Sequence, residues 1–146
     1  MTVLSRRAVL GASFLAATVS GAAAEEDFAA ALRAILADRV PTEGDIALEI
    51  PPLSENGNSV ELSVRVTSPM TVENHITAIH ILAEKNPFPR IATFKLTQRS
   101  GRAEVATRIR LATSQTVVAI AETSQGAVHR TACDVIVVLG ACVETG

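Results

Sequence analysis

The chain has 146 residues, with 13 Lys+Arg against 15 Asp+Glu, four Phe and neither Trp nor Tyr. With so few aromatics and no basic cluster, it offers neither a base-stacking platform nor a phosphate-binding surface, so no nucleic-acid partner is expected. The length suits one domain with a core that needs no disulfide staples.

Residues 1–24 read as an export signal. Arg6 and Arg7 form a twin-arginine pair ahead of an apolar run from Ala8 to about Val19, too short for a stable membrane anchor. Ala22, Ala23 and Ala24 are the small residues a signal peptidase needs, which predicts a mature chain from Glu25. "SRRAVLG" resembles a Tat signal for folded cargo, and the plainer alternative is a Sec signal with two incidental arginines. Either route leads to the periplasm. Losing residues 1–24 removes no acidic residue and only Arg6 and Arg7 among the basic ones, leaving 11 basic against 15 acidic. No later segment is long and apolar enough to act as a membrane anchor.

The segment 25–41 is expected to be helical. Phe28, Leu32, Ile35 and Leu36 form one apolar stripe, Glu25, Glu26 and Asp27 favour the positive end of the helix dipole, and Pro41 stops it. From residue 45 the hydrophobic period changes to two. "SVELSVRVTS" places Val60, Leu62, Val64 and Val66 on one face and Ser59, Glu61, Ser63 and Arg65 on the other. "ENGN" just before it reads as a hairpin turn. "HITAIHILA", "RIATFKLT", "AEVATRIRLA", "TVVAIAET" and "VHRTACDVIVVL" follow as further strands, with "NPFP", "TQRSG" and "TSQG" between them. The expected fold is all-β: an immunoglobulin-like antiparallel sandwich over residues 42–139 behind one helix, with a C-terminal arm at 140–146.

Little in the chain resembles catalytic machinery. His75, His80 and His129 are scattered over different runs without an adjacent acid, so neither a metal site nor a cofactor is expected. There is no nucleophile-elbow motif, and the carboxylates are dispersed. The two cysteines differ. Cys133 lies inside the last strand, in alternation with Val135, Val137 and Leu139, and reads as a buried, inert thiol. Cys142 follows Gly140 in a short polar tail and should be exposed and mobile. A Cys133–Cys142 bridge would require the tail to fold back sharply, because a straight strand of nine residues spans about 30 Å against about 6 Å for a disulfide.

The strings "SENGNSVELSVRVTSPMT", "IHILAEKNPFPRIATFKLT" and "GRAEVATRIRLATSQTVVAIAETSQG" resemble the SoxY family, the sulfur-carrying subunit of periplasmic thiosulfate oxidation. The resemblance runs from about residue 45 onward. It implies an immunoglobulin-like sandwich, a second sandwich subunit resembling SoxZ, and periplasmic sulfur-oxidising or related oxidoreductases as further partners. It also implies a C-terminal arm whose cysteine carries sulfur intermediates covalently. That role falls on Cys142, with Gly140 as the arm's hinge. The family's arm reads Gly-Gly-Cys-Gly-Gly, whereas this chain reads Gly140-Ala141-Cys142-Val143-Glu144-Thr145-Gly146, closer to a SoxY-related branch with Ala-Ala-Cys-Ile-Glu.

The departure has physical weight. Val143 is β-branched and stiff, and Glu144 adds charge and bulk where a thin glycine arm would slide into a channel. The acidic neighbour disfavours the thiolate, so Cys142 needs activation in a partner's site. The expectation is a carrier, not an enzyme. Two alternatives stand beside it: a non-covalent accessory sandwich of a periplasmic oxidation complex, and a thiol redox protein pairing Cys133 with Cys142.

Overall fold

A computed structural model describes residues 27–142, so the expected export signal of 1–24 and the residues from Val143 onward lie outside the described residues. The chain begins with helix α1 (Phe28–Leu36). Eight strands follow: β1 (Ile46–Glu49), β2 (Leu53–Asn56), β3 (Val60–Val66), β4 (Ile76–Ala83), β5 (Arg90–Lys95), β6 (Ala103–Ile109), β7 (Gln115–Thr123) and β8 (Val128–Leu139). They form a three-stranded sheet ordered β1-β3-β6 and a five-stranded sheet ordered β2-β8-β7-β4-β5. Two sheets facing each other behind one helix is the expected sandwich. One pairing is parallel, β2 with β8.

The alternation in β3 is realised as read. Val60, Leu62, Val64 and Val66 are buried between the sheets, facing Ile79, Ile81, Val117, Ala119 and Val135. Each such Val or Ile side chain contributes about 1.5–3 kcal/mol by leaving water. The turn at Asn56–Gly57 differs from the expected hairpin. β2 and β3 belong to different sheets, so this turn carries the chain from one layer to the other. Its Asn-Gly sequence favours a reversal, but β2 finds its partner in β8 and β3 pairs with β1 and β6. Local turn chemistry cannot specify which strand a segment pairs with.

Strands β4 and β7 are apolar on both faces because both are covered. The inner face meets the other sheet. On the outer face, Leu82, Val118, Ile120 and Val128 receive Ala31 and Ile35 of α1, with Phe28, Leu32 and Leu36 at the margin. A nine-residue helix is marginal alone, so this packing is what holds it. The helix is shorter than the expected 25–41. Asp27 caps it by accepting from the Ala29 N–H, and it ends at Ala37 in the left-handed conformation, four residues before Pro41. Arg39 replaces the lost turn: its guanidinium donates to the carbonyls of Ile35 (2.7 Å) and Leu36 (2.8 Å).

The same guanidinium donates to Glu122 on β7, and the other Glu122 oxygen accepts from Nε2 of His80 at 2.9 Å. His80 Nδ1 shares a hydrogen bond with the Thr93 hydroxyl, 2.9 Å away. His80, expected to have no acid beside it, therefore has one in Glu122. The histidine is 9% exposed in mid-strand and tied to a carboxylate. Burial pushes the Glu122 carboxyl up, but the hydrogen bonds and charges of His80 and Arg39 outweigh it and hold the group below its ordinary range. A carboxylate depressed on folding adds stability above its unfolded value and loses it as pH falls through the folded one. Glu122→Gln is therefore expected to cost roughly 1–2 kcal/mol at pH 7. Urea midpoints should show the gap to wild type closing in strong acid, and a gap independent of pH would refute this role for the charge.

Candidate functional site

The end of β8 is where the chain leaves the sandwich, and three backbone hydrogen bonds fasten it there. The Gly57 N–H donates to the Leu139 carbonyl (2.8 Å), the Leu111 N–H to the Gly57 carbonyl (2.8 Å) and the Ala141 N–H to the Leu111 carbonyl (2.9 Å). The turn between β2 and β3 and the segment between β6 and β7 thus grip residues 139–141 together. Ser114 adds a fourth tie, accepting from the Val137 N–H at 2.8 Å. Ala141 is buried, and Cys142, the next residue, is exposed.

The gripping segment is itself braced. Asn86 Oδ1 accepts from the Ala112 N–H (3.0 Å) and from Gln115 Nε2 (2.8 Å), while Asn86 Nδ2 donates to the Arg110 carbonyl (2.8 Å). Gln115, whose side chain is buried, donates also to the Thr113 carbonyl and accepts from the Lys85 N–H. Sequence reasoning missed Asn86 and Gln115. "NPFP" reads only as punctuation, and a buried glutamine at the start of an apolar strand is the one signal that could have been followed.

Both cysteines are free thiols. Cys133 sits in mid-β8, opposite Val117, half-buried rather than fully buried, with Sγ 3.7 Å from the Leu48 carbonyl. Gly140, the expected hinge, lies against the Ala112 carbonyl. Arg6, Arg7 and Ala24 lie outside the described residues. The histidines are not brought together: His75 Nδ1 bonds the Thr71 carbonyl, His129 Nδ1 the Thr42 hydroxyl, and His80 the Glu122 carboxylate. Among the described residues no group of three His, Cys, Asp or Glu side chains is placed to hold a metal ion. A concavity of about 830 Å³ forms an open trough on the three-stranded sheet beside the Glu61–Arg108 ion pair, and it includes no residue of the 139–142 segment.

Beside this segment runs an uncovered apolar strip. Ile136 and Val138 project from the outer face of β8, 58% and 68% exposed, and Leu53, paired with Ile136 across β2, is 52% exposed. The α1 cluster covers Leu82, Val118, Ile120 and Val128 and includes none of these three residues.

The fold is a two-layered immunoglobulin-like β-sandwich whose last described strand ends in a fastened root followed by an exposed thiol. The family model described as "Sulfur oxidation protein SoxY" matches residues 32–142, and the chain belongs to that family, a family of sulfur-oxidation carrier proteins. Among solved structures, the sulfur carrier protein SoxY from Chlorobium limicola f thiosulfatophilum is 25% identical, with a TM-score of 0.62 over 78% of this chain and 92% of that one. A superoxide reductase (neelaredoxin) variant from Ignicoccus hospitalis (16% identity, TM-score 0.58, 75% of this chain and 86% of that one) shares the fold alone. So does a putative superoxide reductase from Thermotoga maritima (16% identity, TM-score 0.57, 66% and 93%). No curated protein sequence matches the chain.

Proposed function

We propose that the protein is a periplasmic carrier subunit that holds a sulfur-containing intermediate covalently on Cys142. In this reading it presents the intermediate to partner oxidoreductases while paired with a SoxZ-like sandwich. The observation that carries the reading is the contrast between the two thiols. Cys133 is fixed within a strand of the sandwich, whereas Cys142 is exposed one residue beyond the last backbone tie among the described residues. An accessible thiol outside any cavity can enter another protein's site, and its chemistry is then set by that site. Membership of the SoxY family and the likeness to a sulfur carrier supply the class of cargo.

Export by the twin-arginine route belongs to the same proposal. It rests on Arg6-Arg7 and on Ala22-Ala23-Ala24. Replacing both arginines by lysine should strand precursor in the cytoplasm, and undiminished export would remove the Tat assignment.

One intact-mass measurement on protein from its native source tests both ends of the chain. The expected species starts at Glu25 and carries a reducible adduct that peptide mapping places on Cys142. A bare Cys142 thiol in cells actively oxidising sulfur compounds would remove the carrier reading.

A further inference from the structure

Two glycines meet at the root of the thiol-bearing segment. A Cβ on Gly140 would lie 2.2 Å from the Ala112 carbonyl oxygen and 3.1 Å from its carbon. A Cβ on Gly57 would lie 2.3 Å from the Leu111 carbonyl oxygen, and 3.0 Å from both the Ala141 nitrogen and Val137 Cγ1. The closest obstacles are backbone atoms, and those belong to the segment braced by Asn86 and Gln115. They cannot step aside as the tip of a long side chain would. Neither glycine adopts a positive φ; the glycines that do are Gly44, Gly101 and Gly126. What these two positions demand is therefore close approach of backbone to backbone, not conformational freedom.

Resting on the reading of Cys142 as the attachment point, we infer that Gly57 and Gly140 are positioning residues. They seat the root, residues 140–141, on residues 111–112, so that Gly140 is a seat and not a hinge. The Ala141 N–H can reach the Leu111 carbonyl only because Gly140 lies flat against Ala112 and Gly57 leaves room for Ala141. Removing the fit at either glycine lifts residues 140–141 off the sandwich. The thiol then samples a wider volume and loses its fixed starting point. Seated, it stays one residue from the Ala141–Leu111 tie, so a partner must match the end of the sandwich as well as the cysteine.

The seat and the hinge predict opposite signs for one substitution. In the full mature chain carrying Cys133→Ser, a nitroxide on Cys142 reports local mobility and hydrogen exchange reports the Ala141 amide. With a seat, the wild-type Ala141 amide is protected. Gly140→Ala then loosens the label and speeds exchange roughly five- to tenfold, the effect of releasing one hydrogen bond. Gly57→Ala repeats the effect if the variant folds, and Gly140→Ala alone decides if it does not. With a hinge at Gly140, the wild-type amide exchanges freely and alanine stiffens the arm, so the label slows. Slower label motion, or no change in either readout, overturns the inference. Neither readout involves cargo, so the result stands apart from whether Cys142 carries an adduct.

Discussion

Cells in which Cys142 is replaced by serine are expected to lose sulfur-oxidising activity through this protein by at least about 100-fold, while the purified variant melts where wild type does. The two halves of that expectation have separate causes. Serine keeps the size of the side chain but its hydroxyl, unlike a thiolate, forms no bond to a sulfur cargo under these conditions. Stability is untouched because Cys142 is exposed and follows the last described tie at Ala141, so its side chain contributes nothing to either core cluster. A companion measurement isolates accessibility. In folded, reduced protein an alkylating reagent should modify the exposed Cys142 at least tenfold faster than the half-buried Cys133, since access limits the rate. Full pathway activity in Cys142→Ser cells would leave the chain as an accessory sandwich.

The second large effect is expected on partner binding. Ile136→Asp combined with Val138→Asp should weaken association with the SoxZ-like subunit by 100-fold or more, with little change in the fold of the isolated chain. Ile136 and Val138, with Leu53 beside them, leave an apolar strip open on the outer face of the five-stranded sheet. A monomer with a wet outer face has no need of apolar residues there, and α1 already covers the neighbouring part of the same face. Each aspartate would place a carboxylate where the partner removes water, at a cost of several kcal/mol unless it is paired. Because both side chains are exposed in the isolated chain, the cost falls on association and not on folding. Sedimentation of the mixed subunits reads it directly. A double variant that binds as tightly as wild type would move the interface to another face.

Much of the sandwich was legible because its strands obey the period-two rule or are apolar throughout. Val60 to Val66 alternate, while "HITAIHILA" and "TVVAIAET" are continuous runs that the structure covers on both sides. β1 and β2 were not singled out. At four residues each they are too short for a period to show, and "PPLSEN" opens with two prolines. The helix was placed correctly but drawn too long, because Pro41 is a visible stop whereas the left-handed Ala37 and the reach of Arg39 to the Ile35 and Leu36 carbonyls are not. The site divided in the same way. Cys142 and Gly140 stand out in the tail, but the segment that receives them is built from Gly57, Asn86, Leu111 and Gln115, far apart in sequence, and "ENGN" and "NPFP" mark the first two only as turns. Close approach between backbones leaves a glycine in the sequence and no sign of which carbonyl it is meant for.

The crossing at Asn56–Gly57 bears on the order in which the molecule can be assembled. β2 has a single neighbour, and that neighbour is β8, about 80 residues later in the chain. Gly57 cannot offer its N–H to Leu139 until β8 is paired with β2, and its own carbonyl waits for Leu111. During synthesis the early edge of the five-stranded sheet is therefore an unfilled berth, completed only by the strand that brings the thiol. A chain halted before β8 has nowhere to dock β2, and a chain with β8 astray leaves both edges unpaired at once. Residues 139–141 can meet Gly57 and Leu111 only once β8 is in place, so the position of Cys142 depends on a completed sheet.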